Sequence, residues 1–351
     1  MSVIEVAGLI DPVLVDFIDE QIDAADESCA VALVLQLDSG GATVSHDELD
    51  DVVAAIEGSA VPVDVWVGPS GSRAAGGAVR LLAAADVVGL SPGSKVEVTP
   101  ALLDAAGLRP QDLGTTAIGD RIGPQRAVEL GLVDNDSPSI GDFIIGLTDQ
   151  GVQTRVVGEG DQRRTEPVTP VTFGGLGVFA ELMHTVASPA VAYILFVAGL
   201  ALLLFELYTA GVGVAGLVGA ASLVLGCYGL AVLPTRPIGV ALLLLAVFGY
   251  GVDVQTGVPR AWTVIATGAL VGGSLLLYDG VSLSWVTLLG VIVGMTLAMV
   301  SGMPTMVRSR FATPTIGREW MIGEMGEART DIAPDGVVIV RGAPWLARTN
   351  R

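Results

Sequence analysis

The sequence is poor in lysine, cysteine and histidine, and these shortages restrict the disulfides, metal sites and partners that the chain can have. Its 351 residues include one lysine, Lys95, two cysteines and two histidines. Cys29 precedes an apolar run and Cys227 lies inside a long hydrophobic segment, so we expect two free thiols rather than a disulfide. No cluster of Cys and His residues has the spacing of a metal site, and we expect neither a metal nor another cofactor.

Acidic residues greatly outnumber basic residues in the first half of the chain. Residues 1–187 carry 29 acidic and 9 basic side chains, a net charge of −20, whereas residues 188–351 carry 8 and 9, a net charge of +1. The first half therefore lacks the basic footprint that nucleic-acid binding requires. Concentrated salt screens repulsion within such a surface, so the composition predicts a halophilic protein. GC-rich coding is the alternative explanation for the missing lysine.

The second half of the chain is almost free of charge. The charged residues between positions 189 and 303 are Glu206, Arg236, Asp253, Arg260 and Asp279. A helix needs about 20 apolar residues to cross the hydrocarbon core of a bilayer. We predict five membrane spans, at 189–208, 212–233, 237–254, 262–278 and 283–303, with a buried soluble bundle as the disfavoured alternative. Glu206 lies inside the first span, where a carboxylate is either part of an ion path or a solvated structural residue.

Five spans would place the two chain ends on opposite sides of the cell membrane. Arg308, Arg310 and Arg318 follow the last span, so the positive-inside rule predicts a cytoplasmic C-terminus and an extracytoplasmic N-terminal domain. The chain begins without a charged and apolar leader. Because an outside domain normally needs one, either the start has been trimmed or the topology is inverted.

Strand and helix patterns alternate through the acidic half. Apolar runs predict strands at 3–6, 30–37, 62–67, 86–90 and 153–157, and amphipathic patterns predict helices at 12–25, 45–57, 74–84, 100–106, 124–131 and 140–148. The run at 30–37 is apolar throughout, as is typical of a parallel strand buried on both faces. The alternation predicts an α/β domain over 1–158, followed by a linker and juxtamembrane segment at 159–187.

Two glycine-rich segments mark a candidate site. LeuAspSerGlyGly (37–41) ends the buried strand, and GlyProSerGlySerArgAlaAlaGlyGlyAla (68–78) opens the next helix. Ligands of α/β folds sit at the carboxyl ends of strands, where the N–H groups of Gly40 and Gly41 could form an oxyanion hole. Neither segment has the Gly-Lys-Ser/Thr ending of a phosphate loop, and plain glycine turns are the alternative.

Several motifs occur in the order typical of the NfeD family. They are LeuAspSerGlyGly (37–41), SerProGlySer (91–94), IleGlyProGlnArgAlaValGluLeuGlyLeuValAsp (122–134), PheGluLeuTyrThrAlaGlyValGlyValAlaGlyLeuValGlyAla (205–220) and the segment from GlyArgGluTrp to IleValArgGly (317–342). The chain resembles membrane-bound NfeD proteins over nearly its whole length, and its acidity points to a haloarchaeal member. The resemblance implies a Clp protease/crotonase-like α/β domain at 1–158, transmembrane helices at 188–304 and an OB-type domain at 305–351. About 35 residues follow Gly317, enough for three of the five strands of an OB barrel, which predicts a truncated barrel.

The same resemblance bears on the active site. Active members of the family are serine endopeptidases with a Ser-Lys dyad, in which a neutral lysine takes the proton of the serine. Laid on this sequence, the serine position falls on Gly76 and the lysine position near Ile118, so both catalytic residues are missing. Ser72 and Lys95 are the weak substitutes. Ser94 adjoins Lys95, but adjacent residues of a strand point to opposite faces.

Three functions fit these observations. The first is a non-catalytic scaffold that, as the resemblance implies, forms homo-oligomers and acts with stomatin/flotillin-like proteins in membrane organisation or quality control. The second is a membrane-bound Ser-Lys endopeptidase with a rewired active site. The third is a transporter, which one intramembrane carboxylate and the lack of a visible inverted repeat disfavour.

Overall fold

The structure is a computed structural model that describes residues 1–158, 163–209, 213–256, 261–306 and 319–349. It contains an α/β domain, a group of apolar helices and a small C-terminal sheet. Arg308, Arg310 and Arg318, on which the predicted orientation depends, lie outside the described residues.

The α/β domain is built on a parallel sheet. The strands of this part of the chain, not all of which belong to that sheet, are β1 (Ser2–Ala7), β2 (Leu33–Asp38), β3 (Val63–Val67), β4 (Arg73–Ala74), β5 (Val88–Leu90), β6 (Lys95–Glu97), β7 (Arg121–Ile122), β8 (Asn135–Asp136), β9 (Thr154–Val157), β10 (Arg164–Pro167) and β11 (Thr172–Gly174). Its helices are α1 (Pro12–Glu27), α2 (His46–Gly58), α3 (Val79–Ala84), α4 (Pro100–Ala105), α5 (Pro124–Glu129), α6 (Ile140–Gly146) and α7 (Val178–Val186). Six strands form the main sheet in the order β11-β1-β2-β3-β5-β8, and every neighbouring pair is parallel. The predicted α/β fold class is confirmed.

Local sequence fixes where the first two helices begin. Asp11 caps α1 by accepting a hydrogen bond from the N–H of Leu14, and Pro12 occupies the first turn, where no N–H is needed. Ser45 and Glu48 form a reciprocal capping box at the start of α2. Both helices pack on the same face of the sheet, since Leu14 of α1 and Leu49 of α2 belong to one core.

Alternate residues of the strands serve two separate cores. Ile4, Leu35 and Val65 belong to the larger core, which the early helices cover, whereas Val34 and Trp66 face the smaller core beneath α6. The period of two along each strand explains why both faces are apolar. Continuous apolar runs such as 30–37 therefore predicted buried parallel strands correctly.

The secondary structure differs from the predicted elements in two places. The helix predicted over 74–84 is divided into β4, a 3₁₀ turn at Gly76–Ala78 and α3, because Gly76 adopts a left-handed φ of +53° that interrupts a helix. The predicted linker at 159–187 contains β10, β11 and α7. β11 pairs with β1 and adds an edge strand to the main sheet. Its three residues are too few to show an alternating apolar pattern.

Five apolar helices follow, α8 (Pro189–Thr209), α9 (Val214–Val232), α10 (Pro237–Thr256), α11 (Ala261–Leu275) and α12 (Trp285–Leu297). Within the described residues, four helical stretches are long and apolar enough to cross a membrane, at Pro189–Thr209, Val214–Val232, Pro237–Gln255 and Trp285–Met306. The last of these extends α12 through a π-helical turn. α11 has 15 residues and is shorter. Four of the five predicted spans are therefore found at spanning length.

The C-terminal sheet contains β12 (Glu327–Ala328), β13 (Asp335–Val340) and β14 (Ala343–Arg348), all antiparallel. Three strands were expected after Gly317. The assignment of this sheet to an OB-type domain stays a prediction.

Candidate functional site

A cavity of about 1060 Å³ lies between the α/β domain and the membrane helices. We call it the interdomain cavity. Its α/β wall includes Ala7, Gly8, Asp11, Asp38, Gly40, Gly71 and Arg73, and its other wall includes His184, Thr185, Ser188, Pro189, Ala190 and residues 281–284. Ala7 and Asp38 are the last residues of β1 and β2, and the carboxyl ends of parallel strands are where α/β folds bind ligands. The cavity is therefore the candidate functional site.

The predicted glycine turn reaches this cavity and meets Gly76. Gly40 lines the cavity, and a Cβ placed on Gly76 would lie 3.6 Å from the Cα of Gly41. The N–H of Gly41 donates to Ser39 Oγ at 3.3 Å, and that hydroxyl donates to the Gly41 carbonyl at 2.9 Å. The structure thus brings the glycine turn close to Gly76, the position that the resemblance assigns to the serine, but the Gly41 N–H is engaged within the turn.

Arg73 is a site residue that the sequence reasoning missed. Its main-chain N–H donates to Asp38 Oδ1 at 3.0 Å, and its side chain covers the glycine turn, since a Cβ on Gly40 would lie 3.0 Å from Arg73 Nη2. Among the described residues its guanidinium forms no ion pair. It places a cation on the cavity wall, where it can bind a carbonyl or carboxylate of a ligand.

The predicted substitute dyad is not assembled. Ser72 is buried, whereas the Lys95 side chain is exposed. The two residues meet through their main chains, with the Lys95 N–H donating to the Ser72 carbonyl at 2.9 Å, and no side-chain hydrogen bond joins them in the described part of the chain. Ser94 Oγ donates to the Ser91 carbonyl at 2.6 Å. Ile118 lies on the loop before β7 and is half exposed.

His184 and Asp11 form a contact that no local pattern indicated, because they are 173 residues apart. His184 Nε2 lies 2.8 Å from the Ala7 carbonyl, which can only accept, and Nδ1 lies 2.9 Å from Asp11 Oδ2. The hydrogen bond to Asp11 raises the pKa of His184 against the opposing effect of burial. Both ring nitrogens are occupied, so His184 ties α7 to the start of α1 and is not free to act as a base.

Glu206 has a structural role in the membrane helices. Its carboxylate accepts hydrogen bonds from the N–H groups of Gly213 at 3.1 Å and Gly216 at 3.3 Å. These N–H groups stand at the start of α9, where no intrahelical acceptor is available and a negative charge is favoured. The carboxylate therefore links the end of α8 to the start of α9. These contacts give no support to a role of Glu206 in an ion path.

The chain is similar to several known proteins. Residues 190–303 match the family model of the NfeD integral membrane domain. The membrane-bound protease PH1510 of Pyrococcus horikoshii is 23% identical over 388 residues, an alignment that covers 99% of this chain and 87% of the relative. The chain is also similar to two solved structures. One is the 1510-N membrane protease specific for a stomatin homologue from Pyrococcus horikoshii, with 19% identity, a TM-score of 0.40 and coverage of 53% of this chain and 96% of that one. The other is a ClpP1 mutant from Listeria monocytogenes, with 14% identity, a TM-score of 0.34 and coverage of 40% and 93%.

The fold and the cavity define a membrane protein with an α/β domain seated on its apolar helices. Its membrane segment matches the NfeD integral membrane domain, and its whole length aligns with a membrane-bound protease.

Proposed function

We propose that this chain is a non-catalytic scaffold of the NfeD type, which binds a stomatin-like protein at the membrane. The observation that carries the proposal is the position of Gly76. It lies beside Gly41, next to the cavity-lining Gly40, at the position that the resemblance assigns to the nucleophile, and it has no side chain. The domain thus keeps the shape of the site without a group that can attack a peptide carbonyl.

The groups around the cavity do not replace the missing dyad. A serine nucleophile needs a base within hydrogen-bond reach, and Ser72 and Lys95 meet only through their main chains. His184 has both nitrogens engaged by Asp11 and Ala7. These contacts favour binding over catalysis.

A stomatin-like partner is inferred from the relatives. The 1510-N protease is described as specific for a stomatin homologue, and we carry the partner over to this chain. The C-terminal sheet, as an OB-type contact domain, is the proposed docking surface. Large apolar side chains are exposed at Leu346 in β14 and at Ile322 and Met325 in the segment that precedes β12.

The alternative is a peptidase that uses Ser72, and a serine-reactive fluorophosphonate probe distinguishes the two functions. We expect the folded full chain in detergent to remain unlabelled under conditions in which a serine hydrolase is labelled to completion. Ser72→Ala and Ser94→Ala are the matched variants, since both serines are buried near Lys95. Stoichiometric labelling that Ser72→Ala abolishes and Ser94→Ala leaves unchanged would establish the peptidase instead.

A further inference from the structure

The helix α7 links the α/β domain to the membrane helices. Its C-terminal end is packed on the membrane side, because Val186 is buried and a Cβ on Gly229 of α9 would meet the Val186 carbonyl oxygen. Only Ala187 and Ser188 separate α7 from α8. The end of α7 is therefore fastened to the membrane helices.

A glycine-rich segment precedes α7. GlyGlyLeuGly (174–177) joins the edge strand β11 to α7, and a Cβ on Gly175 or on Gly177 would meet no atom within 4 Å. Glycine has the widest choice of backbone conformations, and hinges are short segments at the ends of elements that absorb changes in φ and ψ. The main sheet can therefore turn relative to α7 at residues 174–177.

His184 joins α7 to the α/β domain at the interdomain cavity. Its Nε2 lies 2.8 Å from the carbonyl oxygen of Ala7, and its Nδ1 lies 2.9 Å from Asp11 Oδ2. Gly8 lies against the ring, since a Cβ there would be 2.9 Å from Nε2. These partners belong to the end of β1 and the start of α1, so the two contacts hold the domain against α7.

Both contacts at once require a protonated ring. A carbonyl oxygen and an ionised carboxylate have no hydrogen to donate, and only the imidazolium carries two N–H groups. Asp11 caps α1 by accepting the Leu14 N–H at 2.9 Å, and a helix N-terminus favours a negative charge there. A neutral His184 ring would therefore turn one lone pair toward an acceptor and lose one of the two hydrogen bonds.

The surroundings of the ring also favour its protonated form. The hydrogen bond to Asp11 raises the pKa of His184 above its ordinary value of 6.5, against the effect of burial. The docked form therefore has this stabilisation in full below about pH 6.5, and loses it as the pH rises through the raised pKa. From α9, Tyr228 lies within range of the Asp11 charge. The other charged side chains that line the same cavity are Glu5, Asp38, Glu181 and Arg73.

We propose that His184 is a pH-sensitive latch, which holds the α/β domain on the membrane helices while its ring is protonated and releases it when the ring loses a proton. The domain then turns at residues 174–177. His184 and Asp11 lie on opposite walls of the interdomain cavity, so release opens that cavity. The latch would act in the same way in a scaffold and in a peptidase.

The two cysteines of the chain provide labelling sites for a test. Cys29 follows α1, Cys227 lies in α9, and both are exposed. Spin labels on these thiols report the distance between the domain and the membrane helices by pulsed EPR, on the full chain in nanodiscs. We expect a narrow distance distribution at about pH 5 and one that is roughly twice as wide and shifted to longer distances at about pH 9. The same distribution at both pH values would overturn the proposal.

Asp11→Asn separates the latch from other effects of pH. The asparagine carbonyl can still accept the Leu14 N–H, and its amide can donate to Nδ1 of a neutral ring. We therefore expect the narrow distribution at both pH values, whereas His184→Ala should give the wide one at both. Asp64 also titrates in this range and is present in every variant. A pH dependence that persists in Asp11→Asn would contradict the latch.

His46→Ala is the matched control, because His46 is the second histidine of the chain and is exposed on α2. This variant should keep the full change between the two pH values, and loss of the change would count against His184. If His184→Ala does not fold, the comparison of Asp11→Asn with the unmodified chain decides.

Discussion

Gly226→Leu should prevent α8 and α9 from packing together, and most of the protein should then fail to fold. A Cβ on Gly226 would lie 2.5 Å from the main-chain N and 2.8 Å from the Cα of Phe196. Because these are main-chain atoms of a packed helix, they cannot be displaced one at a time. The whole of α8 would have to shift, so the cost should exceed the ~1–3 kcal/mol of ordinary overpacking. The measurement is the yield of monodisperse full chain after detergent extraction, with thermal unfolding of what remains.

Gly268→Leu is the matched control for this change. Gly268 is also a glycine of an apolar helix, but a Cβ there meets no atom within 4 Å. Its yield and unfolding temperature should stay close to those of the unmodified protein. An equal loss of folded protein in the two variants would contradict this explanation. It would show that any Gly→Leu change in these helices is destabilising, whether or not the glycine contacts the backbone of a neighbouring helix.

Asparagine in place of Asp64 should stabilise the protein strongly above neutral pH. Asp64 is fully buried on the central strand β3, where Gln150 Nε2 donates to its Oδ1 at 2.8 Å. Burial raises the pKa of this carboxyl from 3.8 to about 7, and the nearby Asp86 and Asp134 add to the rise. Because the carboxyl is harder to ionise in the folded chain than in the unfolded chain, the folded state loses stability as the pH rises from about 4 to about 7.

The expected gain follows from this shift in pKa. Asp64→Asn keeps an acceptor for Gln150 and removes the ionisation, so it should add ~4 kcal/mol at pH 8 and roughly a third of that at pH 5. Such a gain corresponds to a rise in Tm of roughly 10 °C at pH 8. Asp104→Asn makes the same chemical change at an exposed position and should have little effect. A gain for Asp64→Asn that does not grow between pH 5 and pH 8 would refute the assignment.

The sequence predicted those parts of the fold that depend on local patterns. The apolar run at 30–37 and the cap at Asp11 are local, and β2 and α1 lie where they indicated. The helix predicted around Gly76 is interrupted because the alanines of this segment favour a helix, whereas Gly76 adopts a left-handed φ and lies close to Gly41. The strand β11 was not predicted, because three residues are too few to show an alternating apolar pattern.

The candidate site was only partly predictable, because long-range contacts assemble it. Gly40 and Gly76 were recognised from glycine-rich motifs, and the structure places both segments at one cavity wall. Arg73 looked like an ordinary loop residue, and His184 meets Asp11 across 173 residues.

The measurement that tests the central claim most directly follows a stomatin-like protein from the same organism when it is mixed with the full chain in liposomes. Affinity capture reports association, and mass spectrometry of the captured partner reports whether any peptide bond has been cut. We predict that the partner is retained and intact, because the chain provides a binding surface and Gly76 provides no nucleophile. A captured or released partner that has been shortened by cleavage, with the cleavage lost in Ser72→Ala, would contradict the account.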